Sequence, residues 1–180
     1  DFISYDLSIL TGQASLSLRK CSKPVIAMVN GAAAGAGCGI ALGADFRIMT
    51  EESCLLTAFS SVGLPGDTGC IYHLKQIVGL AKTIELMALS PRIYGKEAFR
   101  LGLTTRLAPD GKLEEETQSF TEKLLRRPLS ALALQKQLYY EVFYLQGVQP
   151  PRSGKPRKGG CIRRPSRGGN GVHRRAEAGV

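Results

Sequence analysis

The sequence predicts an α/β domain with an all-helical C-terminal section. Three features carry that prediction. A short apolar, partly β-branched run, Val25 to Val29, passes through Asn30-Gly31 into a stretch of alanine and glycine. Strand-like and helix-like segments then alternate to about residue 107, and two helix-like stretches follow. Such alternation points to helices packed on a sheet.

The elements follow in order. Ile3, Leu7, Leu10 and Ala14 recur at helical spacing and predict a helix over 3–19. Val25–Val29 reads as a strand covered on both faces, and Asn30-Gly31 as the turn that ends it. A helix is predicted from about Gly35 to Ala44, a strand over Asp45–Met49 and a short one over Cys54–Thr57. Gly63-Leu-Pro-Gly-Asp67 is a turn cluster. Residues 69–78 and 80–89 read as helices broken at Gly79. A short helix at 96–101, a strand at 104–107 and helices at about 112–126 and 129–145 complete the domain.

Composition bounds the function classes. The net charge is +9, but residues 150–180 carry nine Lys or Arg against one acid, Glu177, and the rest of the chain is nearly neutral. Nucleic acid is therefore not expected as a partner of the domain. The tail lacks interleaved aromatics that would stack on bases, and its Arg/Gly/Pro-rich composition predicts disorder over 147–180. No apolar run is long enough to cross a bilayer, so no membrane partner is expected. The five cysteines, at 21, 38, 54, 70 and 161, form no Cys-x-x-Cys pair. Their odd count and spacing argue against a disulfide framework or a metal site and for a reducing, cytoplasmic setting.

The stretch from Ala32 to Gly39 has almost no side chains, which lets another molecule approach the backbone. A helix starting near Gly35 would aim unpaired amides at such a ligand, and amides so fixed can hold an oxygen that gains charge during reaction. Tight packing of a helix on a sheet explains the same composition, and both readings stay open. No Gly-x-Gly-x-x-Gly or Gly-Lys-Ser/Thr phosphate fingerprint is present. His73 is expected to be packed or exposed rather than catalytic, Tyr72 to lie in the core or an interface, Glu51-Glu52 to be solvated, and Glu114-Glu115-Glu116 to favour a helix start.

Taken together, several segments resemble the enoyl-CoA hydratase/isomerase (crotonase) family. They are Lys23-Pro-Val-Ile-Ala-Met-Val-Asn-Gly31, Ala34-Gly-Ala-Gly37, Ala44-Asp-Phe-Arg-Ile48, Phe59-Ser-Ser-Val-Gly-Leu-Pro-Gly-Asp67, Ile77-Val-Gly79, Glu97 to Leu103 and Leu107-Ala-Pro-Asp110. The resemblance covers about residues 20–143. It implies a spiral ββα core, the C-terminal part of the family's domain, with residues 1–146 lacking the family's N-terminal half. It also implies an acyl-CoA thioester as substrate, no cofactor beyond the coenzyme A the substrate carries, and a homotrimer or hexamer.

By position, the resemblance makes the Ala36 amide one oxyanion-hole donor, expects the second in the N-terminal half, and places Ala34, Gly35 and Leu64 against substrate. The family's two hydratase carboxylates match Gly39 and Ala58, which carry no proton, whereas an isomerase-like carboxylate matches Asp67. A single carboxylate there could remove a proton from one carbon and return it two carbons away, helped by partial desolvation. Asp67 also suits the N-cap of a helix beginning near Thr68, and catalysis and capping both stay open. The expected reaction is double-bond isomerisation through an enolate. The alternatives are hydration and a non-catalytic or truncated member of the fold.

Overall fold

The computed structural model describes residues 12–145. The helix predicted over 3–19 is seen as helix α1 at 12–20. Its earlier part, the expected domain boundary after 146 and the tail 147–180 lie outside the described residues.

Strand β1 (Ile26–Val29) is followed by β2 (Ala32–Ala34) and helix α2 (Ala36–Gly43). Then come β3 (Phe46–Thr50), β4 (Cys54–Leu56), a 3₁₀ turn (Ser60–Val62) and α3 (Cys70–Leu89). The chain continues through β5 (Ile93–Tyr94), α4 (Gly95–Arg100), β6 (Arg106–Ala108), α5 (Leu113–Leu125) and α6 (Leu129–Leu145). Strands β1, β3 and β6 form one parallel sheet, with Ile26 opposite Phe46 and Ile48 opposite Arg106. Strands β2, β4 and β5 form the second, in which β2 and β4 run parallel and β5 antiparallel. In each of the pairs β1–β2 and β3–β4 the first strand joins one sheet and the second the other before a helix follows, which is a ββα spiral.

Three expectations need correction. The stretch between Asn30-Gly31 and the helix, for which no strand is predicted, forms one: Asn30-Gly31 turns the chain from the first sheet to the second, where Ala32–Ala34 pairs with Cys54–Leu56. Three alanines have little strand propensity, and pairing with β4 overrides it. The strand placed at 104–107 starts at Arg106, because the preceding threonines make other bonds. The Thr104 hydroxyl donates to the Arg47 carbonyl at 2.9 Å, and the Thr105 amide to the same carbonyl at 2.8 Å. Asp45, expected to open β3, instead holds the Val25 amide at 2.8 Å with its carboxylate. The helix break at Gly79 is present: its φ of 76° and ψ of 170° lie outside the helical range and suit glycine.

Between the sheets and α3, the buried Leu42, Met49, Leu55, Phe59, Leu74, Leu86 and Leu103 form the main core. On the other side of the first sheet, Phe120 of α5 meets Phe46 edge-to-face, with ring centroids 5.0 Å apart, and packs with Ile48, Ala108 and Leu113. Two guanidinium groups finish the C-terminal end of α2. Arg47 donates to the carbonyls of Leu42 at 3.3 Å and Ala44 at 2.8 Å, and Arg19 to that of Leu42 at 3.2 Å. Cations there satisfy orphan carbonyls and complement the helix dipole. Burial, with the neighbouring Arg19 charge, lowers the Arg47 pKa to about 10, so it stays charged at neutral pH. Helix α6 docks through Lys136, whose ammonium reaches Asp45 at 2.6 Å and the carbonyls of Leu18 and Lys23 at 3.0 and 3.1 Å.

Candidate functional site

Helix α2 begins where β4 ends. The Gly35 amide donates to the Leu56 carbonyl at 2.9 Å, so Gly35 continues the strand pairing while its own carbonyl accepts the Gly39 amide at 3.1 Å. Its φ of 53° with ψ of −120° is a turn conformation open to glycine and costly for other residues. A Cβ there would meet only ordinary contacts, 3.8 Å from the Thr57 carbonyl and 3.9 Å from the Phe59 ring, so the backbone conformation is what selects glycine. The next amides, of Ala36 and Gly37, have no acceptor inside the helix. Gly37 is exposed, with nothing within 4 Å of where its Cβ would be. Ala34, the last residue of β2, is exposed, and Ala36 is half-buried.

Asp67 closes the turn cluster after the 3₁₀ turn and is half-buried. It does not cap α3 with its side chain. That helix starts at Cys70 with Gly69 at the N-cap and no side-chain cap bond, and only the Asp67 carbonyl contributes, accepting the Cys70 amide at 2.9 Å. The carboxylate instead accepts the Thr68 hydroxyl, at 3.1 Å on Oδ1. Thr68 is 1% exposed, and its Oγ1 lies only 1.9 Å from where a Cβ on Gly39 would stand. Thr68 therefore fills the space beside Gly39 on α2, about one turn beyond Ala36, and brings the Asp67 loop onto the first turns of that helix. Ala58 sits in the left-handed region at φ 57° and, like Gly39, offers no titratable group. Leu64 is 49% exposed at the edge of the loop. Nothing in the spacing of the sequence pointed to Thr68. Its role depends on a glycine 29 positions earlier in the chain.

A second polar cluster lies between α1, α3 and α6. His73 is 4% exposed; its Nδ1 is 3.1 Å from an Arg19 nitrogen and its Nε2 is 2.8 Å from the Ser15 hydroxyl. Guanidinium can only donate, so Nδ1 accepts and the ring proton sits on Nε2, directed at Ser15. In that tautomer His73 cannot take a proton from Ser15, so the pair is no nucleophile–base dyad. Burial, reinforced by the Arg19 and Arg47 charges, pushes the His73 pKa down to about 3 and keeps the ring neutral. Arg19 also donates to the Tyr140 hydroxyl, which in turn donates to Asp45 at 3.1 Å. Clefts of about 390 and 280 Å³ border this cluster; Leu16, Arg19 and Tyr140 line both, and neither reaches Ala36 or Asp67. Nearer the site, Cys70 is buried, and the neighbouring Cys38 thiol together with burial raises its pKa above the usual thiol range.

The overall fold recurs in known proteins. The sequence profile of the enoyl-CoA hydratase/isomerase family matches residues 8–149. The chain belongs to that family. Among enoyl-CoA hydratase/isomerase relatives, the 1,2-epoxyphenylacetyl-CoA isomerase of Escherichia coli (strain K12) is 35% identical over 120 residues, 67% of this chain and 46% of that protein. An enoyl-CoA hydratase from Polaromonas sp. JS666 superposes with a TM-score of 0.70 at 34% identity, over 74% of this chain and 52% of the other. A crystal structure from Thermobifida fusca YX in complex with CoA superposes with a TM-score of 0.69 at 31% identity, over 72% and 50% of the two chains. The chain spans about half the length of the curated relatives it matches.

Proposed function

We propose that the protein acts on an acyl-coenzyme A thioester and moves a double bond along its acyl chain through an enolate. The observation that carries this reading is the Asp67 carboxylate, placed beside the first turns of α2 while Gly39 and Ala58 supply no second acid or base. The Thermobifida fusca neighbour was crystallised with CoA, and the Escherichia coli relative is named for an isomerase of a CoA thioester, which supports the thioester.

In the proposed mechanism the thioester oxygen lies against the Ala36 amide. Asp67 takes a proton from the carbon flanked by the alkene and the thioester carbonyl, and the electron pair of that C–H bond moves onto the oxygen as the enolate forms. The amide is already in place and needs no reorganisation as charge builds. The electron pair then flows back, the alkene re-forms one bond nearer the thioester, and Asp67 returns the proton two carbons away. No atom is gained or lost. A second amide donor, expected outside this sequence, completes the hole. Hydration would require a group to handle water as well as one to protonate carbon, and positions 39 and 58 provide neither.

The test follows conversion of a 3-enoyl-CoA to its conjugated 2-enoyl isomer by ultraviolet absorbance, with crotonyl-CoA hydration measured in parallel. Asp67→Asn should lower isomerisation by about 10²–10⁴-fold. Undiminished isomerisation by the Asp67→Asn variant, or hydration faster than isomerisation in the parent protein, refutes the proposal.

A further inference from the structure

The side chain next to the proposed base has its own assignment, which rests on Asp67 acting as that base. We infer that Thr68 is a positioning residue: its buried hydroxyl, lodged against the Gly39 face of α2, holds one oxygen of the Asp67 carboxylate so that the other is presented to the acyl chain.

Three observations converge on it. The first is the hydrogen bond itself, Thr68 Oγ1 to Asp67 Oδ1 at 3.1 Å between sequence neighbours. An Asp side chain has two free torsions, and a hydroxyl that cannot move narrows them to one arrangement. The second is that this hydroxyl is fixed: Thr68 is 1% exposed, and its Oγ1 and Cβ lie 1.9 and 2.7 Å from the position a Cβ on residue 39 would take. Only glycine at 39 leaves that space, so α2 carries a socket into which the threonine fits. The third is backbone cost. Thr68 has φ +49°, a region that a β-branched residue enters only against steric resistance. Glycine occupies both Gly66 and Gly69 around it, at φ +104° and +71°, and would be the relaxed choice at 68 as well. Strain kept in place by the surrounding packing clusters at working sites.

The arrangement also divides the carboxylate's work. Oδ1 is committed to Thr68, and proton transfer falls to Oδ2. A base misplaced by an ångström loses a large part of its rate advantage even when substrate binds normally. The effect of losing the hydroxyl should therefore appear in kcat and not in KM.

Thr68→Val keeps the size and branching of the side chain and removes only the donor, whereas Thr68→Ser keeps the donor and removes a methyl group. Each is assayed for isomerisation in the intact protein beside Asp67→Asn. Thr68→Val should lower kcat by about 10- to 100-fold with KM within about twofold, and Thr68→Ser should recover most of the loss. If Thr68→Val retains parent kcat while Asp67→Asn is impaired, the positioning role is overturned and the functional proposal survives. If Thr68→Ser falls as far as Thr68→Val, or KM rises in place of a kcat loss, Thr68 is only a packing residue and the inference fails. If Asp67→Asn is unimpaired or the parent protein turns over no enoyl-CoA, the functional reading fails first. Crystal structures then decide the geometry on their own: Asp67 should occupy one rotamer in the parent and more than one in Thr68→Val, and an unchanged single rotamer overturns the inference.

Discussion

Lowering the pH from 7 to 5 should cost this protein stability through one side chain, His73. In the folded chain its pKa is about 3 because the ring is buried and faces Arg19 and Arg47, whereas an unfolded histidine titrates near its ordinary 6.5. The folded pKa is depressed, so the stabilisation is fully present above about 6.5 and is lost as pH falls. Between about 6.5 and 3 the unfolded chain binds the proton and the folded chain does not. Linkage over that window gives a loss of about 2 kcal/mol between pH 7 and 5, and about 5 kcal/mol by the time pH passes the folded value. Protonating Nδ1 would also place a second donor against the Arg19 guanidinium, 3.1 Å away.

Urea unfolding at pH 7 and pH 5 measures the effect against His73→Gln. Glutamine can still accept from Arg19 or donate to Ser15, but it does not titrate. The parent should lose about 2 kcal/mol more than the variant over that interval. Equal losses in the two proteins, or a His73 ring that titrates near 6.5 by NMR in the folded state, would refute the reasoning.

Two further perturbations test the packing around the site. Gly39→Ala should destabilise by about 1–3 kcal/mol, because its Cβ would stand 1.9 Å from Thr68 Oγ1 and the overpacking outweighs alanine's better helix propensity; a thermal melt equal to the parent's would mean that Thr68 does not occupy that space. Lys136→Met should cost about 3–5 kcal/mol, since it leaves the nearly buried Asp45 carboxylate without its cation and frees the Leu18 and Lys23 carbonyls. A loss below about 1 kcal/mol in urea unfolding would show that α6 docks by other means.

Much of the fold was legible along the chain because its signals are local. Val25–Val29 is apolar and β-branched whatever surrounds it, and the strand appears as Ile26–Val29. Gly79 interrupts a helical pattern and is found with φ 76° in the middle of α3. Glu114 to Glu116 mark a helix start, and α5 begins at Leu113. The second sheet was harder to see. Ala32–Ala34 and Ile93–Tyr94 are too short and, in the first case, too weak in propensity to stand as strands without β4 between them.

The sequence by itself determined the family and the absence of a carboxylate at positions 39 and 58, since each depends on residue identity at given places in the chain. Only the tertiary structure decided how those places are used. It denied Asp67 a capping role, set Thr68 against Gly39, fixed the tautomer of His73 through Arg19, and tied Lys136 to Asp45 across 91 residues. Each of these is a contact between segments that no local pattern joins. A hydrogen bond or a filled space depends on where two backbones are held, and that is settled by the packing of α2 against the sheets and α3.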